Sequence, residues 1–114
     1  MIKKMKLNFA NVKNSEQMHQ LFKEEFGFPD FYGANIHALI DCLSSLRHPE
    51  DKMSKITLKH DEILVLECKG LTHKKNEFLS ELMAAISYVN EREISRGNEP
   101  SLFVCPVVYP QNSG

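Results

Sequence analysis

Two apolar runs constrain this chain most: ILVLEC at residues 63–68 and LFVCPVVY at 102–109, with a long stretch of helical period between them. A short run that is apolar at nearly every position suits a central strand covered on at least one face. Strands separated by a helix cannot form a hairpin, so they pair in parallel through a right-handed crossover. Lys6 to Val12 carries alternating apolar residues and predicts a short first strand. KITLK, residues 55–59, alternates weakly, and His60-Asp61-Glu62 after it can turn a hairpin, so an extra strand from this segment is left open. The order β, α, α, (β)β, α, β predicts an α/β fold: a small three-stranded, mainly parallel sheet packed with three to four helices.

The helices announce themselves by period and caps. In NSEQMHQLFKEEFGF, Asn14 or Ser15 caps a helix whose Met18, Leu21, Phe22 and Phe26 make one apolar stripe, and Gly27 and Pro29 stop it. Asn35 is a natural N-cap for a second helix over Ile36 to Leu46. Its stripe is Ile36, Leu39, Ile40, Leu43 and Leu46, and Arg47 and His48 suit the negative end of its dipole. A third helix runs from about Lys75 to Arg96 on Phe78, Leu79, Leu82, Met83, Ile86 and Val89, and Gly97 and Asn98 end it. Pro106 cannot donate a ladder bond, which predicts an edge, a bulge or the strand's end there. The last residues, 110–114, read as a frayed tail. A length of 114 residues fits one domain over 1–114.

Composition excludes several function classes. The formal net charge of -1 lacks the basic excess of a general nucleic-acid binder. No apolar run approaches the roughly 20 residues that span a bilayer, and the basic start is not followed by the apolar segment of a secretion signal. The cysteines Cys42, Cys68 and Cys105 are odd in number and lack CxxC spacing, which predicts reduced core thiols in a cytoplasmic protein. The histidines at 19, 37, 48, 60 and 73 are dispersed; Cys68 with His73 is a weak metal pair, read more simply as a buried thiol beside a surface histidine. His37 and Cys42, five apart on a helix, diverge in angle and make no nucleophile–base pair. No GxSxG and no phosphate-cradling glycine loop occurs. Lys69, His73, Lys74 and Lys75 form a modest basic cluster without interleaved aromatics, better read as a solvated loop and helix start than as a stacking platform. No enzyme activity, cofactor, metal or membrane contact is expected.

One surface remains, within FPDFYGANIHALIDCLSSL. His37, Asp41 and Ser44 fall at i, i+4 and i+7 on the second helix, opposite its core stripe, and Ile40 borders them. Phe31 and Tyr32 stand in the preceding loop. Residues 23–51 hold six acids against two bases, a formal -4. Periodicity alone is satisfied by a polar outer helix face and a tight loop. Aromatics beside an acidic ridge also suit a protein-binding hot spot.

That stretch, LFKEEFGFPDFYGANIHALIDCL, resembles the barstar family, inhibitors of a secreted bacterial ribonuclease. Pro29, Asp30, Tyr32, Gly33, Asn35, Ala38, Leu39, Asp41, Cys42 and Leu43 match its pattern directly, and Ile36 is a similar apolar residue. ILVLEC, the long helix and LFVCPVV follow in the family's order, and residues 49–62 resemble an insertion. The resemblance implies that the loop and second helix plug a nuclease active site by substrate mimicry, a carboxylate standing where a phosphate binds. It implies contacts from Pro29, Phe31, Tyr32, Gly33, Asn35, Ile36, His37, Ile40, Asp41 and Ser44, with Asp41 the main phosphate mimic. Gly33 would give a permissive backbone, and Asn35 is equally well explained as the cap alone. Phe31 lacks the family's hydroxyl, His37 stands in place of an aspartate and Ile40 in place of a tryptophan. The family's further acid on the last helix falls near Ala84 or Ala85. The expected partner is therefore a bacterial ribonuclease or nuclease toxin other than the barnase type, bound by an immunity protein that is monomeric when free. A regulatory module with a non-nuclease partner is the alternative.

Overall fold

The computed structural model describes residues 1–72 and 75–108. Three strands, β1 (Ile2–Asn8), β2 (Ile63–Lys69) and β3 (Leu102–Val107), form one sheet in the order β1-β2-β3. Both pairings are parallel, with Met5 opposite Leu66 and Leu66 opposite Val104. The helices are α1 (Ser15–Phe26), α2 (Ile36–Ser44) and α3 (Asn76–Ser95), and one 3-10 turn covers Pro49–Asp51. Strands in sequential order with right-handed crossovers send every helix to the same face. Leu7, Leu64, Leu66, Cys68 and Leu102 point to that face and are buried against Phe22, Phe26, Leu43, Phe78 and Leu82. The other face stays open. It carries Ile2 (62 % exposed), Lys4 and Lys6 on β1 and Phe103 and Cys105 on β3.

Several expectations shift. β1 starts at Ile2 instead of Lys6, because the lysine-rich start pairs along β2; Phe9 and Val12 are buried in the turn that follows. Lysines on an edge strand discourage pairing with a further chain. No strand forms at 55–59. That segment instead caps the core from its end: Leu58 is buried, its N–H donates to Leu46 O at 2.7 Å, and Lys55 N–H donates to Phe26 O at 2.8 Å. Ile56 and Lys59 N–H donate to the Ser54 and Glu62 side chains, so these donors too are committed away from the sheet. α2 ends at Ser44, two residues early. Met83 is 40 % exposed, and Ala85 takes its place in the stripe of α3. Cys105 lies on the open face, whereas Cys42 and Cys68 are buried. Pro106 sits near the end of an edge strand, as its missing donor requires. Tyr109, residues 110–114, His73 and Lys74 lie outside the described residues.

Arg47 does not serve the helix dipole. Its side chain is buried, paired with buried Glu93 at 3.0 Å, and donates to the carbonyls of Glu62, Glu99 and Pro100 and to Ser101 Oγ. One guanidinium thus joins the end of α2 to the turns before β2 and β3. Asn90 of α3 completes the latter turn, accepting from the N–H groups of Ser101 and Leu102.

Candidate functional site

The loop between α1 and α2 is held from both ends. Gly27 (φ +69) ends α1 in the left-handed region, and its N–H donates to Lys23 O. Asn35 caps α2, its side chain accepting from Ala38 N–H at 2.8 Å. The left-handed residue inside the loop is Ala34 (φ 52), so the permissive backbone expected at Gly33 is needed one position later. Gly33 matters for room instead: a Cβ there would lie 3.2 Å from the Asn35 amide.

Tyr32 anchors the middle. It is buried, its ring packs on Phe28 with centroids 4.9 Å apart, and its hydroxyl lies 2.5 Å from His19 Nδ1. His19 is 1 % exposed, and its Nε2 lies 2.9 Å from Glu81 Oε1 on α3. An ionised carboxylate only accepts, so Nε2–H donates to Glu81, and Nδ1 pairs with the Tyr32 hydroxyl. Ser15 Oγ donates to the other Glu81 oxygen at 2.6 Å. Burial alone would push the Glu81 carboxyl up, but the hydrogen bonds from Ser15 and His19, with the His19 charge, outweigh it and hold the group below its ordinary range. Burial, then the neighbouring Cys42 and Glu81 charges, raises the Tyr32 phenol.

Against this inward anchor stand the outward side chains. Phe31 is 76 % exposed, beside exposed His37 and Asp41, with Ile40 and Ser44 half-buried at the border. Among the described residues the Asp41 carboxylate has no hydrogen-bond or ion-pair partner. Phe31, Asn35, Asp41 and Met53 surround a hollow of about 340 Å³ floored by Tyr32 and Cys42. The ten expected contact residues therefore sort by depth. Phe31, Gly33, Asn35, His37 and Asp41 are exposed; Pro29, Ile36, Ile40 and Ser44 are half-buried; Tyr32 supports from below. Ala84 is exposed on α3 and Ala85 is buried, and neither supplies an acid.

Burial pushes the Cys42 thiol up to about 11, aided by the Asp41 charge, and the Cys68 thiol up to about 12, aided by Cys105. Thiols so raised are poor nucleophiles at neutral pH. Among the described residues no group of three or more His, Cys, Asp or Glu side chains is placed to hold a metal ion, and no helix is long and apolar enough to cross a membrane.

Sequence reasoning missed His19, Glu81 and Met53. His19 had a legible signal: with Phe22 and Phe26 it continues the buried stripe of α1 at helical spacing. Glu81 and Met53 had none, since each reaches the site only through tertiary packing.

Comparison with known sequences settles the family. The sequence model "Barstar (barnase inhibitor)" matches residues 2–104. The chain belongs to the barstar family. That is a family of inhibitors, not of enzymes. A relative from Bacillus subtilis (strain 168), named "Putative ribonuclease inhibitor YrdF", is 37 % identical over 43 residues, which is 38 % of this chain. The matched stretch spans about half of that relative, 47 % of its length.

Proposed function

We propose that this barstar-family chain is a cytoplasmic inhibitor or immunity protein that binds and occludes the active site of a bacterial ribonuclease or nuclease toxin through residues 29–46. The observation that carries the reading is the unpartnered Asp41 carboxylate, exposed on a helix whose opposite face is fully buried, beside a loop tied down at Tyr32 and Asn35. A carboxylate on a backbone held this way can take a phosphate's place among the cations of a nuclease cleft with little reordering of the main chain. Phe31 offers an apolar contact of a kind that dominates such interfaces. Acidic groups on an inhibitor also speed encounter with a basic enzyme; the barnase–barstar pair is itself a measured instance.

The partner differs from barnase in this reading. His37 and Ile40 stand where the family carries an acid and a tryptophan, so the ridge offers one acid, Asp41, with an apolar border. Titrating purified bacterial ribonucleases and DNases with the full chain tests this. Stoichiometric inhibition of at least one, lost in Asp41→Lys, is the expected result; activity of every nuclease at excess chain overturns it.

A further inference from the structure

Asp41 borders a second hollow, of about 460 Å³, shared with Ser44 and Asp51 on one side and Arg92 of α3 and its C-cap Arg96 on the other. Asp41 and Met53 line both this hollow and the one beneath Phe31, so the two adjoin. Arg92 is held in place by both helices. Its guanidinium lies over the Tyr88 ring at 4.9 Å, and Nη1 donates to Ser44 Oγ at 3.4 Å. Tyr88 itself is 51 % exposed on the same face of α3.

We infer that this face of α3 is part of the docking surface, and that Arg92 and Arg96 there receive a carboxylate of the nuclease. The inference rests on the inhibitor reading above and names the chemistry of its partner. Asp41 and Asp51 against Arg92 and Arg96 leave the hollow with no net charge, histidine aside. Arg96 already lies 3.8 Å from Glu93 Oε2, so Arg92 is the less compensated of the two. A partner presenting cations alone would satisfy Asp41 and still meet Arg92 as a like charge. A complementary surface has to alternate, with a cation opposite Asp41 and a carboxylate opposite the arginines. Nuclease clefts that place a carboxylate, as general base or metal ligand, beside phosphate-binding cations have that alternation. Arginine accepts such a carboxylate in a two-pronged bond, and a guanidinium already stacked on Tyr88 loses little freedom in making it. Tyrosine and arginine are also the residue types over-represented where binding energy concentrates.

The test uses the nuclease that the wild-type chain inhibits most tightly among purified bacterial ribonucleases and DNases. Arg92→Glu/Arg96→Glu is expected to weaken that inhibition tenfold or more, Arg92→Gln/Arg96→Gln to weaken it less, and Arg92→Lys, which keeps the charge but loses the fork and the stacking, to weaken it measurably. Melting curves verify that each variant is folded, and the glutamine pair keeps the test decisive if Glu at 96 disturbs neighbouring Glu93. If both pairs inhibit within twofold of wild type while Asp41→Lys fails, the α3 contact is wrong and the inhibitor reading stands. If the wild-type chain inhibits no nuclease, the reading falls and takes this inference with it.

Discussion

Two of the segments without regular structure treat their apolar residues in opposite ways. The connection at 52–62 turns them inward: Leu58 is buried and Met53 and Ile56 pack on the core, while Lys52, Lys59, His60 and Asp61 face water. The loop at 28–35 buries Phe28 and Tyr32 yet leaves Phe31 almost fully exposed, although its backbone is pinned as firmly. Irregular chain in this molecule can bury its apolar groups, and the connection shows it doing so. The exposure of Phe31 is therefore not a failure of packing. Such exposure fits the docking surface proposed above.

Substitutions can break or sharpen that contrast. Asp41→Lys leads: about 2–5 kcal/mol of binding is expected to vanish in an inhibition titration, as when one partner of a desolvated charge pair is lost. Its melting temperature should hardly move, and a large drop there would mean that Asp41 belongs to the fold. Leu58→Ala is the mirror case. It should cost about 2–5 kcal/mol of folding stability by denaturant titration, the usual range for a buried leucine. The folded fraction should inhibit as wild type does; impaired inhibition would put the connection in the interface. Tyr32→Phe leaves His19 without its hydroxyl partner and should cost about 1–3 kcal/mol of stability. A neutral result would mean that the ring alone anchors the loop. Phe31→Ala should change stability by less than about 0.5 kcal/mol, as exposed sites do. The same variant should weaken binding by more than about 1 kcal/mol if Phe31 is one of the few residues that carry an interface.

The smallest effect concerns pH. The Glu81 carboxyl is held below its ordinary value in the folded chain, so its contribution is fully present above the unfolded glutamate pKa, near 4.3. It is lost as pH falls from there through the depressed folded value. Glu81→Gln should flatten that acid limb of the stability profile and leave the neutral region's slope unchanged; an unaltered acid limb would remove Glu81 from the anchor.

Much of this was legible in the sequence because it was written locally. The Asn14 and Asn35 caps, the central run of β2 and the buried stripe of α2 all follow from neighbours within one turn or one strand. The start of β1 was not, since charged Lys3, Lys4 and Lys6 look unlike a strand until β2 lies beside them. The 55–59 segment alternates like a strand, but the N–H groups of Lys55 and Leu58 go to Phe26 and Leu46, partners that no local pattern names. At the site, the outward ridge was legible from helical period alone. The inward anchor was not, because Tyr32, His19 and Glu81 come from three elements.

The Arg47 cluster has a consequence for the order of assembly. Every group its guanidinium bonds lies later in the chain, at 62, 93, 99, 100 and 101. During synthesis, that cation has nowhere to be buried until the turn before β3 has left the ribosome, and an uncompensated buried charge is strongly disfavoured. The end of α2 that borders Ser44 therefore closes last. Pulsed hydrogen exchange during refolding should show amides around Ser45 to Arg47 gaining protection with those of β3, not with those of α1. The end of α2 beside Ser44 would then become ordered only as β3 arrives.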